Sequence, residues 1–326
     1  MRSTFLHRKR RAVALLGVAA LAATLAACAT STPGSNDSPG AGSTEQLKVL
    51  VTPTLDSLAA YVAKEKGYFA DEGLDVEIGV GQGGKAISDA LLAGEAQIGI
   101  VNYGSLISGA VNGLPLTLVS PLTLGGTDDF SIWVQPDSGI DTVADLKGKK
   151  IGVIATGSLA DLLVNVQLAA AGLSASDVTY VTVPAPNFVS ALTGGQVDAI
   201  LMDVLTALQA KHEGAKLLTS AFVGESKLLP LGGFAAGNTW LASHPDVSAK
   251  FTAAIVKAGK LIDSDPSVVD DIIPTVTTVT ADQLPELTLP TWATDQSVSD
   301  LQRVADIMYK YGMLSAPFDV STIVAK

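Results

Sequence analysis

Cysteine, histidine and aromatic side chains are all scarce in this chain, and each scarcity removes a class of chemistry. The 326 residues hold one cysteine and three histidines. One thiol cannot build a disulfide framework. The two histidines beyond the N-terminal region, His212 and His244, have no metal-ligand spacing to each other or to a cysteine, so no metal site is expected. Aromatic residues are 5% of the chain, which leaves little for a cage of stacked rings, although Tyr103, Phe188 and Trp240 remain to flank one flat ligand. There is no GxSxG elbow: Asn102-Tyr103-Gly104-Ser105-Leu106 does not fit it. Gly81-Gln82-Gly83-Gly84 lacks the GxGxxG pattern and follows the second strand rather than the first, so it reads as a glycine turn. No catalytic residue and no cofactor is expected. Basic residues number 21 against 32 acidic ones, a formal charge of −11, which disfavours nucleic acid and anionic lipid as partners.

The one cysteine is informative by its position. Arg8-Lys9-Arg10-Arg11 precedes an apolar run from Ala12 to Ala27, and Leu25-Ala26-Ala27-Cys28 ends it. The run falls short of the roughly 20 residues that span a bilayer. Charge, apolar stretch, small residues and cysteine in that order describe a secretory signal, residues 1–27, with a lipoprotein cleavage box. Cys28 is then the expected lipidated N-terminus, and the protein is expected on the extracytoplasmic face of the cell membrane. Residues 28–46, rich in Ser, Thr, Gly and Pro, bury too little apolar surface to fold and read as a flexible linker. Loss of the signal, with its five basic residues and no acidic one, takes the formal charge from −11 to −16.

About 280 residues remain, enough for two cores. Strands are expected at Leu47–Val51, Asp75–Val80, Ile98–Val101, Leu116–Ser120, Lys150–Ile154, Val178–Val183 and Ala199–Met202. Helices are expected at Asp56–Lys66, Ala86–Ala93, Leu159–Ala171 and Phe188–Leu192, with glycines closing most of them. That beat predicts an α/β fold with parallel-rich sheets covered on both faces. Pro245–Ser264 and Ser297–Tyr311 read as long C-terminal helices with no clear strand between them.

Four segments carry a family resemblance. They are Ala63-Lys64-Glu65-Lys66-Gly67-Tyr68-Phe69-Ala70-Asp71-Glu72-Gly73-Leu74-Asp75-Val76-Glu77, then Ala90 to Ile100 (ALLAGEAQIGI), Asp145 to Gly152 (DLKGKKIG) and Ala191 to Ile200 (ALTGGQVDAI). In this order they resemble the nitrate/sulfonate/taurine-type solute-binding proteins of ABC importers. The resemblance implies a two-lobed periplasmic-binding-protein type II fold, a Venus flytrap whose chain crosses the hinge twice. It places lobe one at 47–133 plus 238–326 and lobe two at 134–237. It also implies a monomer that captures a small organic or oxyanionic solute and delivers it to permease and ATPase subunits.

Clefts in such sheets form beyond the carboxyl ends of strands, where helix N-termini offer free N–H groups to anions. Ligand contact is therefore expected from Thr54, Asp56 and Ser57 after the first strand, and from Asn102, Tyr103, Gly104 and Ser105 after the third. Thr127 and Asp128 belong to the hinge, Thr156, Gly157 and Ser158 to the start of the Leu159 helix, and Asn187 to the loop before Phe188. Asp56, Ser158 and Asn187 could equally serve as helix caps. After the GQVDAI strand the family commonly has an aromatic-acidic-proline element, where this chain reads Met202-Asp203-Val204-Leu205. Asp203, with Asp56 and the Asp128-Asp129 pair, suits an amine instead of an anion, and a pyrimidine-like ligand is a further alternative. A ligand-sensing role remains open, and so does the enzyme class: pyrimidine synthases of thiamine biosynthesis resemble this family, but their cysteine-rich segment has no counterpart here.

Overall fold

The computed structural model describes residues 44–126, 128–295 and 297–325. The expected signal 1–27, Cys28, most of the linker and Thr127 lie outside the described residues. The chain alternates strand and helix from its first described residues: β1 (Glu45–Val51), α1 (Leu58–Glu65), α2 (Tyr68–Asp71), β2 (Leu74–Val80), α3 (Gly84–Ala93), β3 (Ile98–Asn102), α4 (Tyr103–Val111) and β4 (Leu116–Leu124). It continues through β5 (Phe130–Val134), β6 (Lys150–Val153), α5 (Leu159–Ala170), β7 (Thr179–Thr182), α6 (Phe188–Thr193), β8 (Ala199–Asp203), α7 (Val204–His212) and β9 (Lys216–Ser220). The last third holds β10 (Pro230–Gly237), α8 (Asn238–Ser243), α9 (Val247–Ser264), α10 (Ile273–Val276), β11 (Thr291–Trp292) and α11 (Val298–Lys310).

Two sheets form the two lobes of a type II binding-protein fold. The first runs β11-β4-β10-β3-β1-β2 and the second β7-β6-β8-β5-β9. β1 pairs in parallel with β2 and β3, and β6 with β7 and β8. Three strands reverse direction: β5, after the first crossing, runs antiparallel to β8 and β9, β10, after the second, antiparallel to β3 and β4, and the short β11 antiparallel to β4. Both sheets are covered on two faces. Along β5, Ile132 and Val134 join a cluster with Ile151, Val153, Leu162 and Leu201, while Trp133 between them joins Phe188, Leu192, Ile200 and Met202 on the other side. This period-two alternation makes β5 a buried central strand.

Several local expectations shift. β1 begins at Glu45, which pairs with Leu74, so folded structure starts inside the 28–46 linker. Asp56 lies in a 3-10 turn, Leu55–Ser57, ahead of α1. A short strand does separate the C-terminal helices: Thr291 and Trp292 pair with Leu124 and Thr123.

The chain passes between the sheets at 125–129 and returns at 221–229, and these two crossings pack on each other. Gly125 N–H donates to Leu229 O (2.9 Å) and Ala221 N–H to Phe130 O (2.9 Å). The rings of Phe130 and Phe222 meet edge-on, 6.2 Å apart. Gly125 is required by close approach, since a Cβ there would lie 2.3 Å from the Phe222 ring. A buried network ties the return crossing to α5: Gln167 Nε2 donates to Ala221 O (3.0 Å) and Ser226 Oγ (3.1 Å), and Ser226 Oγ donates to Ala221 O (2.6 Å). Gly125→Ala should therefore cost about 1–3 kcal/mol through overpacking against a buried ring. Gly126→Ala, whose Cβ would meet Asp129 Oδ2 at 3.3 Å, should cost less. Urea unfolding of both variants checks the order; equal stabilities would mean that the crossings do not constrain each other.

Candidate functional site

Parallel strands deliver their following loops to one edge of each sheet, and the loops from the two sheets meet. α4 starts directly after β3, and α5 follows the Ile154–Ser158 loop after β6. Their N-termini touch across the cleft: a Cβ on Gly104 would lie 3.5 Å from Leu159 N and 3.7 Å from its Cα. The lobes are thus drawn together at this point, and a glycine permits it.

Three helix starts, those of α4, α5 and α7, have N–H groups bonded to side chains of their own chain, while the turn at Leu55–Ser57 and α6 start without a side-chain cap. Asn102 Oδ1 accepts from Ser105 N–H (3.2 Å). At α5, Asp161 accepts from Gly157 N–H and Ser158 N–H, both at 2.7 Å, while Ser158 Oγ accepts from Ala160 N–H (3.2 Å) and donates to Ala155 O (2.7 Å). At α7, Asp203 Oδ1 accepts from Leu205 N–H (3.0 Å) and Thr206 N–H (3.1 Å), and its Oδ2 accepts from Thr206 Oγ1 (2.9 Å). A carboxylate at a helix N-terminus satisfies orphan donors and complements the macrodipole. Asp161 and Asp203 occupy the places an incoming anion would take.

The opposite charge balance dominates the cleft. β5 pairs Phe130 with Asp203, and Val204 N–H donates to Asp129 O (3.1 Å), so the first crossing lies against the start of α7. Asp56, from lobe one, faces Asp129 and Asp203 closely enough to feel both charges. Burial, with smaller contributions from the Asp129 and Asp203 charges and against the pull of the Thr123 hydroxyl, pushes the Asp56 carboxyl up to about 7. Asp129 is 6% exposed. Burial pushes it up to about 6, with Asp128 adding to the rise and the 2.6 Å hydrogen bond from Gly126 N–H opposing it. Thr123 is 1% exposed and its hydroxyl lies against the Asp56 carboxyl as a hydrogen-bond partner, while Trp292 Nε1, on the paired residue of β11, is buried without a partner. Both line a cavity of about 390 Å³ with Tyr103, Leu124, Pro230, Asp263 and Asp300, and Asp56, Asp129 and Asp203 are not among its lining residues.

The remaining expected contacts are distributed less favourably. Ser57 is fully buried with its hydroxyl donated to Thr54 O (2.7 Å), and Tyr103 is 3% exposed. Thr156, Gly157, Asn187 and Ser105 are exposed on their loops, and Asn187 makes no capping bond. Asp128 is exposed and accepts from Thr288 Oγ1 (3.0 Å) on the segment before β11. The flat-ligand clamp is not formed: Phe188 is buried among Leu192 and Met202, and Trp240 stacks on His244 past the far end of β10. Among the described residues no group of three or more His, Cys, Asp or Glu could hold a metal ion.

With this geometry in hand, comparison with known proteins is informative. Residues 54–268 match the family model described as NMT1/THI5 like. A protein of Brucella abortus (strain 2308) named as a binding protein is 28% identical over 277 residues, covering 79% of this chain and 83% of its own length. A protein of Bacillus subtilis (strain 168) named for binding aliphatic sulfonates is 31% identical over 224 residues, 67% of this chain and 66% of that protein. The alkanesulfonate-binding protein SsuA from Xanthomonas axonopodis pv. citri, solved bound to MOPS, superposes with a TM-score of 0.71 at 23% identity, covering 87% of this chain and 99% of its own.

The two raised carboxyls make stability depend on pH. Between the ordinary value of 3.8 and the raised values, the folded protein holds protons that the unfolded chain has released. The contribution of these groups is therefore fullest below pH 3.8, is lost as pH rises through about 6 and 7, and then levels off. The loss is on the order of a few kcal/mol. The carboxylates held below the ordinary range, such as Asp145 through Thr142 and Asp177 through Ser174, act at lower pH and leave this window clear. The melting temperature without ligand should fall from pH 5 to pH 8, and Asp56→Asn should flatten that fall and raise the value at pH 8. An unchanged slope in Asp56→Asn, read by calorimetry, would contradict the assignment.

Proposed function

Since the chain belongs to the NMT1/THI5-like family, we propose that it is the extracytoplasmic solute-binding component of an ABC importer. It closes two lobes over a small solute and presents the closed form to permease and ATPase subunits. The observation that carries this reading is the meeting of loops from both sheets at one cleft, with α4 and α5 touching at Gly104 and Leu159. A ligand held by both lobes favours the closed state because only there does it touch both. Relatives named for binding, one of them for aliphatic sulfonates, support the same reading and make sulfonates the first solutes to test.

The lobe limits we propose follow the sheets: about 45–124 with 230–325 against 130–220, in place of breaks at 133 and 237, because β5 pairs in the second sheet and β10 in the first. The proposal keeps residues 1–27 as an export signal and Cys28 as the lipid anchor, with the protein monomeric on the outer face of the cell membrane. Among the described residues no helix is long and apolar enough to cross a membrane. The reading is binding without catalysis. Both described histidines are engaged away from the carboxylate cluster, His212 with Glu286 (3.0 Å) and His244 with Glu45 (3.2 Å).

A thermal-shift screen with sulfonates, nitrate, amines, pyrimidines and aromatic acids tests this function. Solute at 100 times its dissociation constant adds about 2.7 kcal/mol of stability. One chemical class should raise the melting temperature by several degrees. Gly104→Phe should abolish that shift by wedging the lobes apart, with its own melting temperature nearly unchanged. A ligand shift that survives Gly104→Phe would mean binding without closure, and the importer reading would fail.

A further inference from the structure

Residues 277–290 form a strap that leaves lobe one and returns to it. Upstream, α9 is fixed to β4 by the Ser248 and Thr252 hydroxyls, which donate to Val119 O at 3.0 and 2.9 Å. Downstream, β11 pairs with β4 directly. Between these ends the strap reaches lobe two. Glu286 Oε2 accepts from Lys211 Nζ (2.9 Å) and its Oε1 meets His212 Nε2 (3.0 Å), both in the last turn of α7. Thr288 Oγ1 donates to Asp128 Oδ2 (3.0 Å) on the first crossing.

The strap is shaped for this grip. Thr280 N–H and Oγ1 each donate to Gln283 Oε1 at 3.0 Å, and Glu286 N–H donates to Gln283 O (3.0 Å), so Glu286 stands on a hydrogen-bonded turn that contains Pro285. Beneath it lies a cavity of about 380 Å³, with Glu286 and Thr288 on one wall and Val204, Ala207, Leu208 and Leu217 on the other. Close packing is interrupted there, which leaves polar contacts to join strap and lobe. The helix they hold is a short rod. α7 starts at the cap Asp203 and ends nine residues later at His212, about 13 Å at 1.5 Å per residue.

We propose that the strap is a latch on lobe movement: Glu286, gripping the end of α7, holds the arrangement in which α4 and α5 meet at Gly104 and Leu159. The latch follows from the two-lobed fold and is independent of which solute the cleft takes. The side chains of Lys211 and Glu286 are 58% and 37% exposed, so the pair shifts the balance between lobe arrangements only a few-fold. A weak grip suits a part that must release, since a ligand can outweigh it by touching both lobes. Salt should loosen it, because the screening length falls to about 3 Å at 1 M.

The test measures the distance between lobes in the full chain without solute. Spin labels go on Lys85→Cys in lobe one and Lys147→Cys in lobe two, both exposed and paired only within their own lobes, with Cys28→Ser removing the one other thiol. Pulsed electron paramagnetic resonance at pH 8 and low salt should show one main distance. Glu286→Lys, which sets like charges together at Lys211, should move at least a third of the molecules to a second distance, with the melting temperature within about two degrees of the parent. Lys211→Glu added to Glu286→Lys re-forms the pair with its charges exchanged and should restore the first distance. Salt at 1 M should reproduce in the parent the distribution seen in Glu286→Lys. A distribution unmoved by Glu286→Lys would overturn the latch, and so would a shift that Lys211→Glu fails to reverse.

Discussion

The close approach of Gly125 to the Phe222 ring is the contact on which the arrangement of the lobes depends. Two chain segments run between the sheets, and a Cβ at residue 125 would lie 2.3 Å from the Phe222 ring and force them apart. Packed together, they share hydrogen bonds at Leu229 O and Phe130 O and are anchored to α5 through Gln167 and Ser226. That anchorage fixes where β5 leaves the crossing. β5 in turn lies against β8, and the pairing of Phe130 with Asp203 sets Asp129 beside the first turn of α7. A packing constraint at the hinge thus decides which charges meet in the cleft.

Once the charges meet, geometry and electrostatics pull in different directions. The fold gathers several helix N-termini around one cleft, an arrangement that suits anions. The sequence fills several of those N-termini with its own side chains. Asp161 accepts from two loop N–H groups and Asp203 from two helix N–H groups, so the positive ends of α5 and α7 are neutralised internally. Asp56 and Asp129 have no such cap to serve. Burial raises both, with the Asp129 charge adding to the rise at Asp56 and the Asp128 charge at Asp129. Fold alone does not name a solute.

The lobes also meet outside the cleft. Lys211 and His212 at the end of α7 both reach Glu286, at 2.9 and 3.0 Å, and Thr288 donates to Asp128. On the return side, Lys310 and Tyr311 hold Glu225 at 2.8 and 3.0 Å. The segment from α10 to β11 thereby spans from the first sheet to the second. These pairs are solvent-exposed and individually weak, but they are placed where relative rotation of the lobes would break them.

Strand–helix order, the α/β class and the position of most elements were legible in the sequence, because apolar periodicity and terminal glycines are local properties. β3, α5 and β8 lie within a residue or so of their expected bounds for that reason. The capping pair Ser158 and Asp161 was legible too, since a cap spans only three residues. β5 and β10 were not expected as strands, because sheet membership is a matter of which strand lies alongside, and no local pattern encodes it. Asp56 and Asp203 could be singled out as cleft acids, yet 147 residues of chain separate them, and only the folded crossings bring them face to face. The unpartnered indole of Trp292 carried no sequence signal, since it is defined by what surrounds it. The sequence alone determined the alternation of elements and the acidity of the loops. The tertiary structure decided which acids are buried and where the chain crosses between sheets, because burial exists only once distant segments are packed together.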